Sequence, residues 1–583
     1  MKKNLKLCSF VLVFIFLFSS ASGSFAASST DQPALFADVP QTSYAFNDIN
    51  SLRSLGVTTG IGNNKFGYGS TILRGEFVTF LVRLMGWELL TPAEGSFSDN
   101  QKAGEYYYRT VETALAHGVI KKDTDKFRPL DPITREEMAV MIVRCIGYDH
   151  LPVSGRLDYL PKPFPDVTEN SMYITIAKDM GIVNGTPTGF LPKGTALREE
   201  AAAMMMRMYN RFNAPIKDLN AFYAISSNSQ RDLMTDFSSI CFGWSRLTFD
   251  AATGGISLNT VRDGTALQEY YVPEGFSERL ATARANNIPA LLNVLATQTT
   301  LVTDAQTNET AGLLQYLLTR PELCEKLISD IADNLANVSR SSETGNFDGV
   351  VIDFEGMKGE TLKQAFNAFL KALREKLGPD KKIYVMVPPV AGRSMPYYDA
   401  YDYRTIGEIA DKVILMAHDY AAKKLNESEM ASGWTVTPLT PIYEIYQALR
   451  SITDKDTGVA DKSKIMLQLS FEWLGWQKKD GKVLNSSPDV YGLSKFLELF
   501  DQSPTVEYPN PYRNPYLKLV DEAGVEHVVW YEDSRSIIEK IMMAKMFGIS
   551  GISVWRLGNI PVKDDTGKIP YMDVWDTILK SKK

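Results

Sequence analysis

The sequence predicts a multidomain protein in which an N-terminal α-helical module of three repeats precedes a C-terminal (β/α)8 barrel. Three observations carry this. A pattern that opens on an aromatic residue and Asp recurs three times within residues 33–213. Beyond residue 218, eight short β-branched runs alternate with amphipathic helical patterns. A chain of 583 residues also exceeds what one ordinary core can hold, and with 44% hydrophobic and 22% charged residues it is of globular composition.

The N-terminus reads as an export signal over residues 1–27, with a retained anchor as the alternative. "MKKNLK" is basic, "CSFVLVFIFLF" is apolar but short for a span, and "SGSFAAS" offers small residues for cleavage near Ala26 or Ala27. Cys8 precedes the apolar run, which argues against lipoprotein processing. No later stretch is long and apolar enough to span, so the mature chain is expected to be secreted without a membrane span. Processing removes Lys2, Lys3 and Lys6 from 62 basic residues, leaving 59 against 69 acidic ones, a net charge of −10. That sign disfavours nucleic acid as a partner. Cys145, Cys241 and Cys324 are scattered through apolar patterns, an odd set that gives no disulfide framework. His117, His150, His418 and His527 have no neighbouring Cys or His at metal-ligand spacing, so no metal and no cofactor are expected.

The repeats begin at "LFADVPQTSYAFNDI", "SFSDNQKAGEYYYRT" and "PFPDVTENSMYITIA" and close on "ILRGEF", "ITREEM" and "ALREEA". Asp38, Asp99 and Asp166 align, as do Arg74, Arg135 and Arg198, at offsets of 61 to 67 residues. Each unit reads as an amphipathic helix ending in Gly, a loop, and a second helix. Thr134 and Glu137 form an S/T-x-x-E capping box, in which the Thr oxygen accepts from the backbone and Glu reaches back. Leu73 and Leu197 replace that Thr, so their caps should be weaker. Repeat boundaries fall at 33–90, 94–150 and 160–213, with a linker at 214–220.

For the barrel over 218–583, the candidate strands are "AFYAIS", "ICFGWSRL", "PALLNVLA", "GVVIDFE", "KIYVMVPP", "VILMAHDY", "KIMLQLSF" and "GISVWRL". Helical crossovers such as "SERLATARANN", "ETLKQAFNAFLKALREKLG" and "SRSIIEKIMMAKMFG" lie between several of them. Near-continuous apolar strands with such crossovers indicate parallel pairing buried on both faces; a doubly wound sheet is the rival arrangement.

The fourth run, "NFDGVVIDFEGM", ends on Asp353 and Glu355. Residues two apart share one face of a strand, and the C-terminal strand ends of such barrels are where active sites lie. Seven of the eight tryptophans fall in this half, with Trp244 and Trp555 near the ends of the second and eighth strands. Together with Tyr223 of the first strand they are candidate sugar-stacking aromatics.

The tripled repeat resembles the S-layer homology module. That resemblance implies a three-lobed helical pseudo-trimer whose grooves hold a pyruvylated secondary cell-wall polymer, with Arg74, Arg135 and Arg198 at the positions of the ligand arginines. "FDGVVIDFE" resembles the Asp-x-x-Asp-x-Asp-x-Glu strand of glycoside hydrolase family 18, "VILMAHDY" its Met-x-Tyr-Asp strand, and "GISVWRLG" its closing Trp strand; the nearest branch is the cell-wall and spore-cortex N-acetylglucosaminidases. The resemblance implies Glu355 as general acid/base and Asp353 as the carboxylate that holds the N-acetyl group. Asp348 is its first motif Asp, a structural partner beneath the site grouped here with the substrate-binding residues, Met416, His418 and Asp419 belong to its substrate-contacting strand, and Trp555 is the floor of the site. Val351 stands where the family has its middle Asp, and His418 where it commonly has Tyr.

The two resemblances together imply a wall-anchored glycosidase acting on an N-acetylglucosamine-containing glycan, peptidoglycan or spore cortex, by a substrate-assisted retaining route. Its expected place is the cell wall or S-layer of a Gram-positive bacterium. A chitinase, or a glycan-binding S-layer protein with a degenerate barrel site, are the alternatives, the second favoured by Val351 and His418.

Overall fold

The computed structural model describes residues 35–264, 270–389, 399–562 and 569–583; the segment read as an export signal lies outside the described residues. Among the described residues no helix is long and apolar enough to cross a membrane.

The repeats supply helix pairs α1 (Phe46–Ser54) and α2 (Arg74–Leu84), α3 (Tyr108–Ala116) and α4 (Arg135–Cys145), and α5 (Ser171–Asp179) and α6 (Arg198–Phe212). Three antiparallel bridges, Thr71 to Leu197, Leu73 to Pro132 and Thr134 to Thr195, tie the second helices' starts into a central triangle. The repeated Asp has a local task. Asp38, Asp99 and Asp166 accept backbone N–H groups at Phe66, Phe127 and Phe190 at 2.7, 2.8 and 2.9 Å, which fixes each loop. The repeated Glu reaches back to the cap N–H in all three repeats, at 3.0 Å from Leu73, 2.9 Å from Thr134 and 2.9 Å from Leu197. Only Thr134 adds the reciprocal side-chain bond, at 3.2 Å, as its hydroxyl allows and leucine does not.

Eight parallel strands close the barrel: β1 (Asp218–Tyr223), β2 (Ser239–Asp250), β3 (Ala290–Thr297), β4 (Gly349–Glu355), β5 (Lys382–Val387), β6 (Lys412–Leu415), β7 (Ile465–Ser470) and β8 (Gly551–Trp555). β1 pairs with both β8 and β2, so the sheet has no free edge there, and the doubly wound rival is excluded. Alternate residues fill the interior: Phe222, Cys241, Leu291, Val351, Tyr384, Met386, Ile414 and Met466 form one buried cluster, with Met416 and Trp555 packed on it.

Two features were not legible in the sequence. Between β7 and β8 the chain builds a six-stranded antiparallel sheet from strands within residues 474–530, whose Trp476 and Trp530 donate to Thr437 Oγ1 at 2.7 Å and the Thr435 carbonyl at 2.8 Å. The stretch expected to link the domains is also short and docked. Ile216 is buried and its N–H donates to the Ser581 carbonyl at 2.8 Å, while Arg211 Nη1 donates to the Met546 carbonyl at 2.7 Å. Asp179 accepts from Tyr446 Oη at 2.7 Å and Arg450 Nε at 2.8 Å, so the third repeat rests on the barrel's outer helices.

Candidate active site

Six of the seven residues of β4 are buried, and the alternation sends Phe354 and Ile352 outward into the main core while Val351 and Asp353 face the barrel interior. Asp353 is 2% exposed and accepts a hydrogen bond at Oδ2 from Asn293 Nδ2 on β3, at 3.2 Å. Burial, reinforced by the neighbouring negative Glu355, pushes the Asp353 carboxyl well above the usual range. Burial also raises Glu355, and nearby His418 pulls it part of the way back. The two carboxyls act on each other directly, so they titrate as a pair. The upward direction of both favours the protonated form, the form a general acid needs.

Beyond the end of β6 the backbone turns through Asp419 in the left-handed region, φ +64°, which aims His418 and Asp419 at the barrel mouth. His418 Nε2 lies 2.7 Å from Gln468 Oε1, and its Nδ1 is 3.5 Å from Asp419 Oδ2. Burial pushes the imidazole down, but Asp419 and Gln468 outweigh it and leave it raised. Asp419 is held below the ordinary carboxylate range: burial acts upward, but His418 and then Lys423, 3.2 Å away, act more strongly downward. Glu472, just past β7, is raised by burial and by Asp419. Trp555, at the end of β8, packs edge-tilted on Phe222 at 5.2 Å and with Met416 caps the interior cluster.

Three residues expected to bind substrate lie elsewhere. Trp244 is 0% exposed: it shares the outward face of Phe242, two residues before it, and its ring packs in the outer core against Phe242 at 4.2 Å and Phe276 at 6.4 Å. Tyr223 is 2% exposed within the same aromatic group, its hydroxyl donating to Asn228 Oδ1 at 3.1 Å. Asp348 precedes β4, at the opposite rim from Glu355, and its Oδ2 accepts the Ala290 N–H at 2.8 Å, setting the register of β3 on β4. In the other direction, Asn293, Gln468 and Lys423 belong to the site but were not singled out. The signal for Asn293 was a lone amide within the apolar run "PALLNVLA".

The arginines of the helical module form a ring. Arg74, Arg135 and Arg198 each donate Nε to the loop carbonyl of the next repeat, at Phe127 (3.0 Å), Phe190 (2.8 Å) and Phe66 (2.9 Å). Each also pairs with the next repeat's capping glutamate, Glu137 at 2.6 Å, Glu200 at 2.7 Å and Glu76 at 2.6 Å. Arg74 additionally lines a cleft of about 730 Å³ with Lys121, Lys126, Arg128 and Arg144 facing Asp123, Asp125 and Glu137.

A closed parallel barrel with coupled acids at the end of β4, mounted on a three-fold helical module, defines a glycosidase-type barrel on a repeat carrier. Residues 317–559 match the family model Glycosyl hydrolases family 18, and residues 35–78, 96–139 and 163–202 match the S-layer homology domain. The chain carries an S-layer homology triplet followed by a family 18 glycosyl hydrolase domain. It is similar to the cortical fragment-lytic enzyme of Bacillus anthracis, 25% identical over 340 residues that cover 56% of this chain and 66% of that protein. It is also similar to the putative sporulation-specific glycosylase YdhD of Bacillus subtilis (strain 168), 23% identical over 341 residues covering 58% and 71%. The chain thus spans about two thirds of these relatives' length. A solved structure, the C-terminal domain of a putative chitinase from Desulfitobacterium hafniense DCB-2, is 25% identical with a TM-score of 0.48, covering 64% of this chain and 100% of that one.

Proposed function

We propose that this protein is a wall-bound retaining glycosidase that cleaves β-1,4 bonds beside N-acetylglucosamine, in peptidoglycan or spore cortex, with the substrate's own acetamido oxygen as nucleophile. The observation that carries the reading is the adjacent Asp353 and Glu355 carboxyls at the C-terminal end of β4, Asp353 buried and both raised by burial. Glu355 protonates the leaving oxygen as the acetamido oxygen attacks C1, Asp353 stabilises the cationic oxazolinium N–H, and Glu355 then activates water. Trp555 is the floor under the reacting sugar, and Met416, His418 and Asp419 form its side wall. The helical module supplies the address: the basic cleft at Arg74 suits an anionic, carboxylate-bearing wall polymer. Cortical and sporulation relatives, by their names, favour this glycan class over chitin.

One observation favours a second reading. Asp419 is held ionised and acts on Glu355, as a protein nucleophile in a two-carboxylate glycosidase would. Incubation with peptidoglycan, cortex, chitin and their de-N-acetylated forms separates the two by whether the de-N-acetylated glycan is cleaved, since both routes retain configuration and release the β anomer first. Substrate assistance requires the β anomer first and no cleavage next to glucosamine; undiminished cleavage of de-N-acetylated glycan moves the nucleophile to Asp419.

A further inference from the structure

The site has an inconsistency at its base. The strand position two residues below Asp353 is Val351, 0% exposed in the apolar interior cluster, so no acid stands beneath Asp353 to share its proton or hold its carboxyl in place. A buried carboxyl that must change partners during a reaction needs some fixed polar group, because an unpaired orientation in an apolar interior is costly.

Asn293 is placed to be that group. It lies on β3 directly across the ladder from Val351, with Leu295 opposite Asp353, so its side chain enters the interior one step diagonal to Asp353. It is 0% exposed, and its Nδ2 donates to Asp353 Oδ2 at 3.2 Å. Ser245 Oγ donates to the Asn293 carbonyl at 2.7 Å and anchors that turn of strand from the β2 side. Asn293 Oδ1 and Asp353 Oδ1 are both buried with no hydrogen-bond partner. An amide offers a donor on one side and an acceptor on the other, so it can serve an ionised carboxylate with N–H and, turned over, a neutral carboxyl with C=O.

We infer that Asn293 is the positioning residue of this active site, an uncharged amide that holds Asp353 through both of its protonation states in place of the missing strand acid at position 351. This rests on the reading of Asp353 and Glu355 as the catalytic pair. Because an amide takes up no proton in this range, Asn293 does not compete for a proton exchanged between Asp353 and Glu355. The other titratable groups that bear on Asp353 are Cys241 from β2 and His418 from the end of β6, with Asp419 acting on Glu355.

The test uses the full chain and three variants, Asn293→Ala, the isosteric Asn293→Asp, and Asn293→Ala combined with Val351→Asn. Turnover on soluble N-acetylglucosamine oligomers is followed from about pH 4 to pH 8, and the Asp353 carboxyl is titrated by carbon-13 NMR in protein labelled at Asp Cγ. Asn293→Ala is expected to lower kcat by about 10²-fold with KM little changed, the effect of a mispositioned catalytic group. Its Asp353 titration moves upward, since a donor to the ionised form is lost. Asn293→Asp places an acid beside an acid and moves the titration and the acid limb of the rate profile up further. The amide returned from position 351 restores about tenfold of the loss. An Asn293→Ala variant with native circular dichroism, unchanged kcat and an unmoved Asp353 titration overturns the inference. A wild-type chain that cleaves no glycan sinks the functional reading instead, while the NMR titration still decides whether Asn293 governs Asp353.

Discussion

Arg198→Ala separates the two tasks open to the repeat arginines, locking the module and holding a wall polymer. The side chain is 4% exposed, so it has almost no surface left for a ligand. Its Nε donates to the Phe66 carbonyl at 2.9 Å, its guanidinium pairs with Glu76 at 2.6 Å, and it lies over the rings of Phe66 and Phe80 at 5.2 Å each. Truncation leaves Glu76 without its cation and the Phe66 carbonyl without its donor, and removes the side-chain contacts of Arg198 between the third repeat and the first, while the backbone bridge of Thr71 to Leu197 remains. Removing one partner of a buried pair costs about 3–5 kcal/mol. In a unit of 150–250 residues each kcal/mol is worth about 2–4 °C, so the module's calorimetric transition should fall by roughly 6–20 °C in the full chain. Arg198→Lys keeps the charge but not the fork and should recover only part of it. A transition that moves by less than about 2 °C while wall retention in a pelleting assay is lost would refute the structural role and make Arg198 a ligand residue.

Glu355→Gln should lower turnover by about 10²–10⁴-fold, leaving glycan binding measured by calorimetry nearly intact. Asp353→Asn should stabilise the protein, and increasingly so with pH. The raised Asp353 carboxyl means the folded state binds more protons than the unfolded one, so wild-type stability is fullest below the ordinary carboxylate range and falls as pH rises through the folded value. Thermal unfolding of both proteins between about pH 4 and pH 8 should therefore show a difference that widens upward; a constant difference contradicts it. Trp244→Ala should cost about 3–5 kcal/mol by emptying a fully buried site, with KM of the folded fraction unchanged, whereas Trp555→Ala should raise KM with a smaller loss of stability. Lys121→Glu with Arg128→Glu, both lining the basic cleft, should reduce wall retention without altering cleavage of soluble oligomers. Deleting the whole module is a poorer test, because it uncovers the barrel surface on which Asp179 and Arg211 rest.

Period and punctuation in the sequence were sufficient for the repeat module and the barrel, though not for the antiparallel sheet inserted between β7 and β8. Eight apolar runs with helical crossovers dictate parallel strands buried on both faces, and a repeat at 61 to 67 residues dictates a module whose units cover one another. Asp353 and Glu355 were legible because two acids ending an apolar run have a burial cost that ordinary strand chemistry does not offset. Trp244 was misplaced because its nearness to a strand end was read without its face: alternation from interior Cys241 puts Phe242 and Trp244 outside. Asp348 keeps the structural place beneath the site that the motif implies, and its grouping with the substrate-binding residues fails because it stands at the far rim of the strand. The partners of Asp353 and His418, Asn293 and Gln468, come from strands distant in sequence, and only closure of the barrel brings them within hydrogen-bond reach. The arginine ring obeys the same logic. The repeat pattern determines which residue recurs, but which neighbour each Arg meets depends on closure of the three lobes, because a buried guanidinium takes the partners that packing leaves within reach.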